Sequence, residues 1–251
     1  MGSDLAGRSV LVTGSSRGVG RGIAQRLATE GCRVAINGLD HQAVSEVVST
    51  LEGSVPVVGN VSTPEGASAV INETVAALGG IDVLVCNVGG GRSVPPGEET
   101  FDEWQRVFAL NLWSTTNTVE AARSALTASG GSIVCISSIC GLEVVRGAPV
   151  TYSAAKSALH AYVRGIAWPL GGDGVRINAI AVGNILFDGS VWSERLALEG
   201  NEVRAMLKTQ VALGRFGEPD DVADLVTFLA SGRAGFATGA VWTLDGGQVG
   251  L

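Results

Sequence analysis

Val10-Leu11-Val12-Thr13-Gly14-Ser15-Ser16-Arg17-Gly18-Val19-Gly20 reads as a buried strand, a tight turn and the start of a helix. Val, Leu and Val in succession suit a strand covered on both faces. Gly14 permits the turn, Gly18 lets a phosphate approach the main chain, and Gly20 allows the helix to pack closely on the strand. A helix beginning there offers free N–H groups and a partial positive charge to an anion. The stretch therefore predicts a phosphate-binding turn at the first strand of an α/β fold.

The rest of the chain repeats that rhythm. Short apolar runs at 10–13, 33–37, 55–59, 83–87, 132–137, 176–181 and 241–244 predict strands. Helical patterns fall near 18–30, 41–51, 64–78, 102–128, 150–171 and 219–231. Alternation of this kind builds a parallel sheet with right-handed crossovers. The expected architecture is α/β: one Rossmann-type, doubly wound parallel sheet of about seven strands, with helices on both faces. No linker-like shift in composition and no repeat divides the 251 residues, so 1–251 is expected to form one dinucleotide-binding and catalytic domain. Residues 184–213 break the rhythm. Their interior, 191–208, reads as an amphipathic helix placed where open α/β sheets bind ligands, and so as a lid or pocket wall.

Composition excludes several functions. Apolar residues make up 46% and charged residues 16%, enough for a sizeable core. The net charge is −7 with no basic run, which argues against a nucleic-acid partner. Cys32, Cys86, Cys135 and Cys140 form no CxxC pair and there are two histidines, so no metal site is expected. The cysteines are expected to be buried free thiols in a reducing compartment. MGSDLAGRSVLVTG lacks both a signal pattern and a myristoylation motif, and no apolar stretch reaches about 18 residues. A soluble, cytoplasmic protein without a membrane partner is the expectation.

Thr151-Tyr152-Ser153-Ala154-Ala155-Lys156 supplies candidate chemistry. In a helix, residues four apart share a face, which puts an ammonium beside a phenol. A phenol ordinarily titrates near about 10, and a positive charge within roughly 4–6 Å favours its anion. Tyr152 is thus a candidate proton donor primed by Lys156.

Thr13-Gly14-x-x-x-Gly18-x-Gly20 together with Tyr152 and Lys156 resembles the short-chain dehydrogenase/reductase family. Asn87-Val88-Gly89, Asn111 in Leu110-Asn111-Leu112 and Ser137-Ser138 extend the resemblance over nearly the whole chain. Gly214-Arg215-Phe216-Gly217-Glu218-Pro219, with Thr238-Gly239 and Asp245-Gly246-Gly247, looks like the branch containing 3-oxoacyl-carrier-protein reductases. The resemblance implies hydride transfer between a nicotinamide dinucleotide and a carbonyl carbon. It gives Tyr152 the proton, Lys156 the tuning of Tyr152 and the nicotinamide ribose, Ser138 the carbonyl oxygen, and Asn111 a water near Lys156. Ser138 lies 14 residues before Tyr152, where the family usually has 13, so the intervening loop carries one extra residue. Ser137, facing the other way, is the structural member of the pair. His160 shows no partner in the sequence and reads as packing or a subunit contact.

The same resemblance implies dinucleotide contacts at Thr13, Gly14, Ser16, Arg17, Gly18, Val19, Gly20, Gly38, Leu39, Asn60, Val61, Asn87, Val88, Gly89, Tyr152, Lys156, Gly183 and Ile185. Gly38 stands where NAD-preferring members carry Asp, and Arg17 resembles a 2′-phosphate contact. NADP(H) is favoured; Leu39 in place of an Arg, and Asp40 nearby, keep NAD(H) open. Val88, Val182 and Phe187 depart from the usual Ala, Pro and Thr. Pro169 is expected to bend or end its helix near 166–168. The expected function is reduction of a ketone, a 3-oxoacyl thioester or related carbonyl, to a secondary alcohol. The alternatives are an NAD(P)-dependent alcohol, sugar or steroid dehydrogenase working oxidatively, and a non-catalytic dinucleotide-binding regulator. Val144, Val145 and Trp192 suggest a largely apolar pocket, with Arg195 and Arg204 at its mouth. Family likeness implies a homotetramer or homodimer formed through 102–128, 150–171 and the last strand.

Overall fold

In the computed structural model, which describes residues 4–249, the apolar runs form a seven-stranded sheet. The strands are β1 (Ser9–Val12), β2 (Arg33–Gly38), β3 (Val55–Val58), β4 (Val83–Cys86), β5 (Ser132–Ser138), β6 (Arg176–Val182) and β7 (Val241–Leu244). All pairings are parallel, in the order β3-β2-β1-β4-β5-β6-β7. The order reverses between β1 and β4, which opens a crevice beyond the carboxyl ends of those strands.

Strand side chains alternate between two apolar layers. On one face Val10, Val12, Val34, Ile36 and Val134 pack against α1 (Gly18–Thr29), α2 (His41–Thr50) and α8 (Pro219–Ala230). On the other, Leu11, Leu84, Ile133 and Ile177 meet α3 (Pro64–Leu78), α5 (Ser114–Ser129) and α6 (Val150–Gly172). Helix starts follow their capping residues. Thr63 accepts from the Gly66 N–H ahead of Pro64, and Glu218 and Asp221 form a capping box around Pro219.

Two elements differ from the sequence reading. The stretch expected as one helix near 102–128 is α4 (Phe101–Phe108) joined to α5 by a wide π turn, Ala109–Trp113. That turn carries Asn111 to the crevice side. Secondly, α6 does not end near 166–168. It continues through Pro169 to Gly172, because a proline this close to the last turn removes one intrahelical bond and leaves the upstream turns intact. Cys32, Cys86 and Cys135 are buried free thiols, whereas Cys140 is only partly buried.

The insertion folds into α7 (Val191–Gln210), capped by Ser190 and broken at Glu199, whose backbone leaves helical geometry. It has a small core of its own. Val203, Leu207, Val211 and Phe216 pack with Trp192, and the Trp192 and Phe216 rings lie 5.4 Å apart. Its root is stitched to the segment before α8: Leu186 N–H donates to Gly217 O at 2.8 Å and Gly217 N–H to Asn184 O at 3.0 Å.

Candidate active site

The glycine turn is built from the backbone and held by two side-chain amides, Asn37 buried and Asn87 half-buried. Gly14 and Gly18 have φ of 62° and 56°, the left-handed region that favours glycine. Gly14 N–H donates to Asn37 Oδ1 at 3.2 Å, and Asn37 Nδ2 spans to Val57 O and Gly59 O. Asn87 Nδ2 donates to Thr13 O and Gly14 O, both at 3.0 Å, while Asn87 N–H donates to Thr13 Oγ1. One amide from β2 and one from the end of β4 thus set the turn between β1 and α1. Asn37 was not singled out from sequence. A polar residue closing an otherwise apolar strand was the available signal.

The fit to a dinucleotide rests on this turn. The 12-residue α1 starts at Gly18 with free N–H groups, and Arg17, exposed beside it, has no guanidinium partner among the described residues. Gly38 is buried, and a Cβ there would lie 2.9 Å from both Ser16 Oγ and Val44 Cγ2. A side chain at 38 therefore requires the Ser16 and Val44 side chains to shift. The Asp40 carboxylate is turned to cap α2 through Ala43 N–H at 3.0 Å, and Leu39 is exposed. Val61 is buried in the core, and Asn60 Oδ1 accepts from Ser62 N–H. Val88 lies against Gly14, so the branched side chain walls the turn. Gly183 abuts Asp245 and Ile185 is buried. Phe187 places its ring on Gly18: a Cβ there would stand 2.7 Å from the ring. These residues suit an extended phosphate-bearing ligand laid over main chain.

On the far side of the crevice, α6 carries Tyr152 and Lys156 on one face, with Lys156 Nζ 5.8 Å from the centre of the Tyr152 ring. Lys156 is buried and donates to Ile136 O at 3.0 Å. Ser138 ends β5 beside them, buried, and its hydroxyl accepts from Cys140 N–H at 3.2 Å. Asn111 is buried and exchanges bonds with Gly90: its Oδ1 accepts at 2.9 Å and its Nδ2 donates at 3.1 Å. A Cβ on Gly89 would lie 2.9 Å from Asn111 Oδ1 and 3.1 Å from Lys156 Nζ, so both reach the same point on the β4 loop. The structure thus brings Ser138, Tyr152, Lys156 and Asn111 together.

Electrostatics in this corner run against the sequence expectation. The Lys156 ammonium was expected to pull the phenol's pKa down. Burial instead pushes Tyr152 up to about 12, with a hydrogen bond to Ser138 opposing the rise. Burial likewise drives Lys156 down to about 8. Both groups lose water without gaining an opposite charge, so desolvation outweighs their mutual effect.

His160 is not partnerless, as its sequence suggested. Its Nε2 lies 2.7 Å from Ser137 Oγ and its Nδ1 3.1 Å from Gly141 O. The pocket reading also changes. One concavity of about 590 Å³ is lined by Leu186, Phe187, Asp188, Ser193, Leu196, Glu218 and Pro219. A second, of about 490 Å³, holds Val144 and Val145 but also Glu143, Lys208, Thr209, Gln210 and Gln248, so it is more polar than expected. Trp192 lines neither, being packed on Phe216. Arg195 pairs with Glu199 and stacks on Trp192, and Arg204 reaches Asn201.

Known proteins give this arrangement its context. A family model described as Enoyl-(Acyl carrier protein) reductase matches residues 14–248. The chain is 34% identical over 252 residues to an L-rhamnose 1-dehydrogenase (NAD(P)(+)) of Sphingomonas sp., covering 97% of each chain. It is 34% identical over 247 residues to the 3-oxoacyl-[acyl-carrier-protein] reductase FabG of Staphylococcus aureus, covering 96% of this chain and 98% of that one. Among solved structures, L-sorbose reductase from Gluconobacter frateurii, complexed with NADPH and L-sorbose, superposes with a TM-score of 0.93 at 27% identity, covering 100% of both chains.

Proposed function

This chain belongs to the short-chain dehydrogenase/reductase family of NAD(P)-dependent oxidoreductases, and on that premise we propose that it reduces a ketone to a secondary alcohol with Tyr152 as the acid/base. The observation that carries the reading is the convergence of Ser138, Tyr152, Lys156 and Asn111 at the crevice beside the glycine turn. A bound nicotinamide dinucleotide would supply the hydride.

Ser138 hydrogen-bonds the substrate's carbonyl oxygen and aims it at the phenol. The Tyr152 hydroxyl donates its proton to that oxygen as the carbon is reduced. Lys156 stays close enough to stabilise the resulting phenolate, and Asn111 holds the loop against which Lys156 packs. The high Tyr152 pKa keeps the phenol protonated, the form a reductase needs, at neutral pH. In the oxidative direction the same groups run in reverse.

NADP(H) is the favoured cofactor. Three observations support it: the unpaired Arg17, the sterically crowded position at Gly38 and the diversion of Asp40 into a helix cap. We place the whole chain in one catalytic domain with 184–213 as its substrate loop. The substrate is a 3-oxoacyl thioester or related ketone. A sugar or polyol is the second reading, favoured by the polar concavity of Glu143, Lys208 and Gln248 and by the likeness to the rhamnose and sorbose enzymes. Assembly as a homotetramer or homodimer would cover the exposed Phe101, Trp113 and Trp168. Among the described residues no helix is long and apolar enough to cross a membrane, which suits the cytoplasmic reading.

A panel of 3-oxo esters, 3-oxoacyl thioesters, ketoses and steroid ketones assayed with NADPH tests the proposal. Turnover by the parent, lost in Tyr152→Phe with NADPH binding retained, supports it. NADPH binding without reduction of any member of the panel contradicts it.

A further inference from the structure

We propose that His160 and Ser137 form a positioning pair that aims Ser138 at Tyr152. This inference rests on the reading of Ser138, Tyr152 and Lys156 as the reaction centre. Tyr152, Lys156 and His160 are spaced four apart on α6 and so share one face. Each meets the end of β5. Tyr152 hydrogen-bonds Ser138, Lys156 Nζ donates to Ile136 O, and His160 Nε2 lies 2.7 Å from Ser137 Oγ. Residues 136–138 at the end of β5 are thus all bonded to one face of one helix.

The direction of the His160 bonds follows from their partners. Gly141 O can only accept, so the Nδ1 facing it at 3.1 Å carries the ring proton. Nε2 is then bare and accepts from the Ser137 hydroxyl. Both groups are buried, which leaves no water to substitute for either bond. Burial, with Lys156 and Arg164 nearby, also keeps the imidazole neutral.

The pair fixes more than one strand. Gly141 O also accepts from Ser157 Oγ at 3.0 Å, and a Cβ on Gly141 would stand 2.7 Å from His160 Cε1. The root of the loop after β5 is therefore pressed onto the same helix face. Ser137 and Ser138 are neighbours at the end of β5, yet both hydroxyls bond the same face of α6, through His160 and Tyr152, where strand alternation alone would turn them apart. Locking the first hydroxyl into α6 sets the direction of the second. His160 need not touch substrate to affect the reaction.

Both parts of the claim are testable. His41→Gln leaves His160 as the sole histidine, so ¹⁵N NMR reads its tautomer without any substrate. The expected result is a proton on Nδ1 and an Nε2 resonance that moves in Ser137→Ala. A proton on Nε2, or no response to Ser137→Ala, overturns the pair. Kinetics use ethyl acetoacetate with NADPH. Ser137→Ala should lower kcat about ten-fold or more, with the KM for NADPH within about two-fold, and Ser137→Thr should restore most of the loss. If Ser137→Ala does not fold, His160→Gln is judged by the same split between kcat and KM. Parent-like kcat in a folded variant, alongside an inactive Tyr152→Phe, overturns the positioning role. Persistent activity in Tyr152→Phe would instead bring down the reaction-centre reading itself.

Discussion

The glycine turn and the seam between β5 and α6 face each other across one crevice and are built by opposite means. At the turn, side chains serve the backbone: Asn37 and Asn87 bond the main chain of 13–14, and the free charge, Arg17, stays in water. At the seam, the backbone serves side chains. Ile136 O and Gly141 O hold Lys156 and His160 in a buried stripe, and the titratable groups there move far from their ordinary values. A phosphate needs donors in a fixed concave shape, which main chain provides. Burial at the seam displaces pKa values in a way that a solvent-facing turn does not, raising Tyr152 and lowering Lys156. The two halves should therefore fail differently when altered.

The largest expected effect is at the seam. Lys156→Met should cut turnover by about a thousand-fold, within the usual range for losing acid/base tuning, while NADPH affinity falls far less. Steady-state rates beside fluorescence titration check this; parallel losses would erase the distinction. Gly18→Ala should do the reverse. A positive φ and the Phe187 ring oppose the added methyl, so NADPH affinity should fall at least about ten-fold while the His160 tautomer stays unchanged. Asn87→Ala should cost about 1–3 kcal/mol in chemical denaturation, because Thr13 O and Gly14 O lose a shared donor.

A smaller effect is expected at Arg17. Arg17→Ala should weaken NADPH by about ten-fold and NADH by less than about two-fold, since only the 2′-phosphate offers the guanidinium a charged, hydrogen-bonding partner. Equal losses would remove Arg17 from that role. The smallest is a pH dependence. Burial holds His160 at about 4 against an ordinary 6.5, so between those values the unfolded chain binds the extra proton and stability falls as pH drops. Thermal melts of His160→Gln should show a shallower decline over that window.

Much of the turn was legible in the sequence because its determinants are local. Glycine spacing after an apolar strand states the backbone's path, and continuous Val and Ile runs state that strands are covered on both faces. Tyr152 and Lys156 were legible for a similar reason, four residues on one helix. What stayed hidden depends on neighbours remote in sequence. Ser137 and His160 are 23 residues apart and meet only when α6 docks on β5. The direction of the Tyr152 shift follows from burial, which no spacing reports. Phe187 meets Gly18, 169 residues away in the chain, next to the point where Leu186 bonds Gly217 ahead of α8. Asn111, in the π turn at Ala109–Trp113, likewise bonds Gly90, 21 residues away.

The difference between the halves can be read at one atom. The chain has two lysines, so ε-¹³C labelling with Lys208→Arg isolates Lys156. Without ligand, the seam's burial should give a Lys156 titration midpoint near 8. A midpoint near the ordinary 10.5 would mean a hydrated amine, and the desolvated seam would not exist.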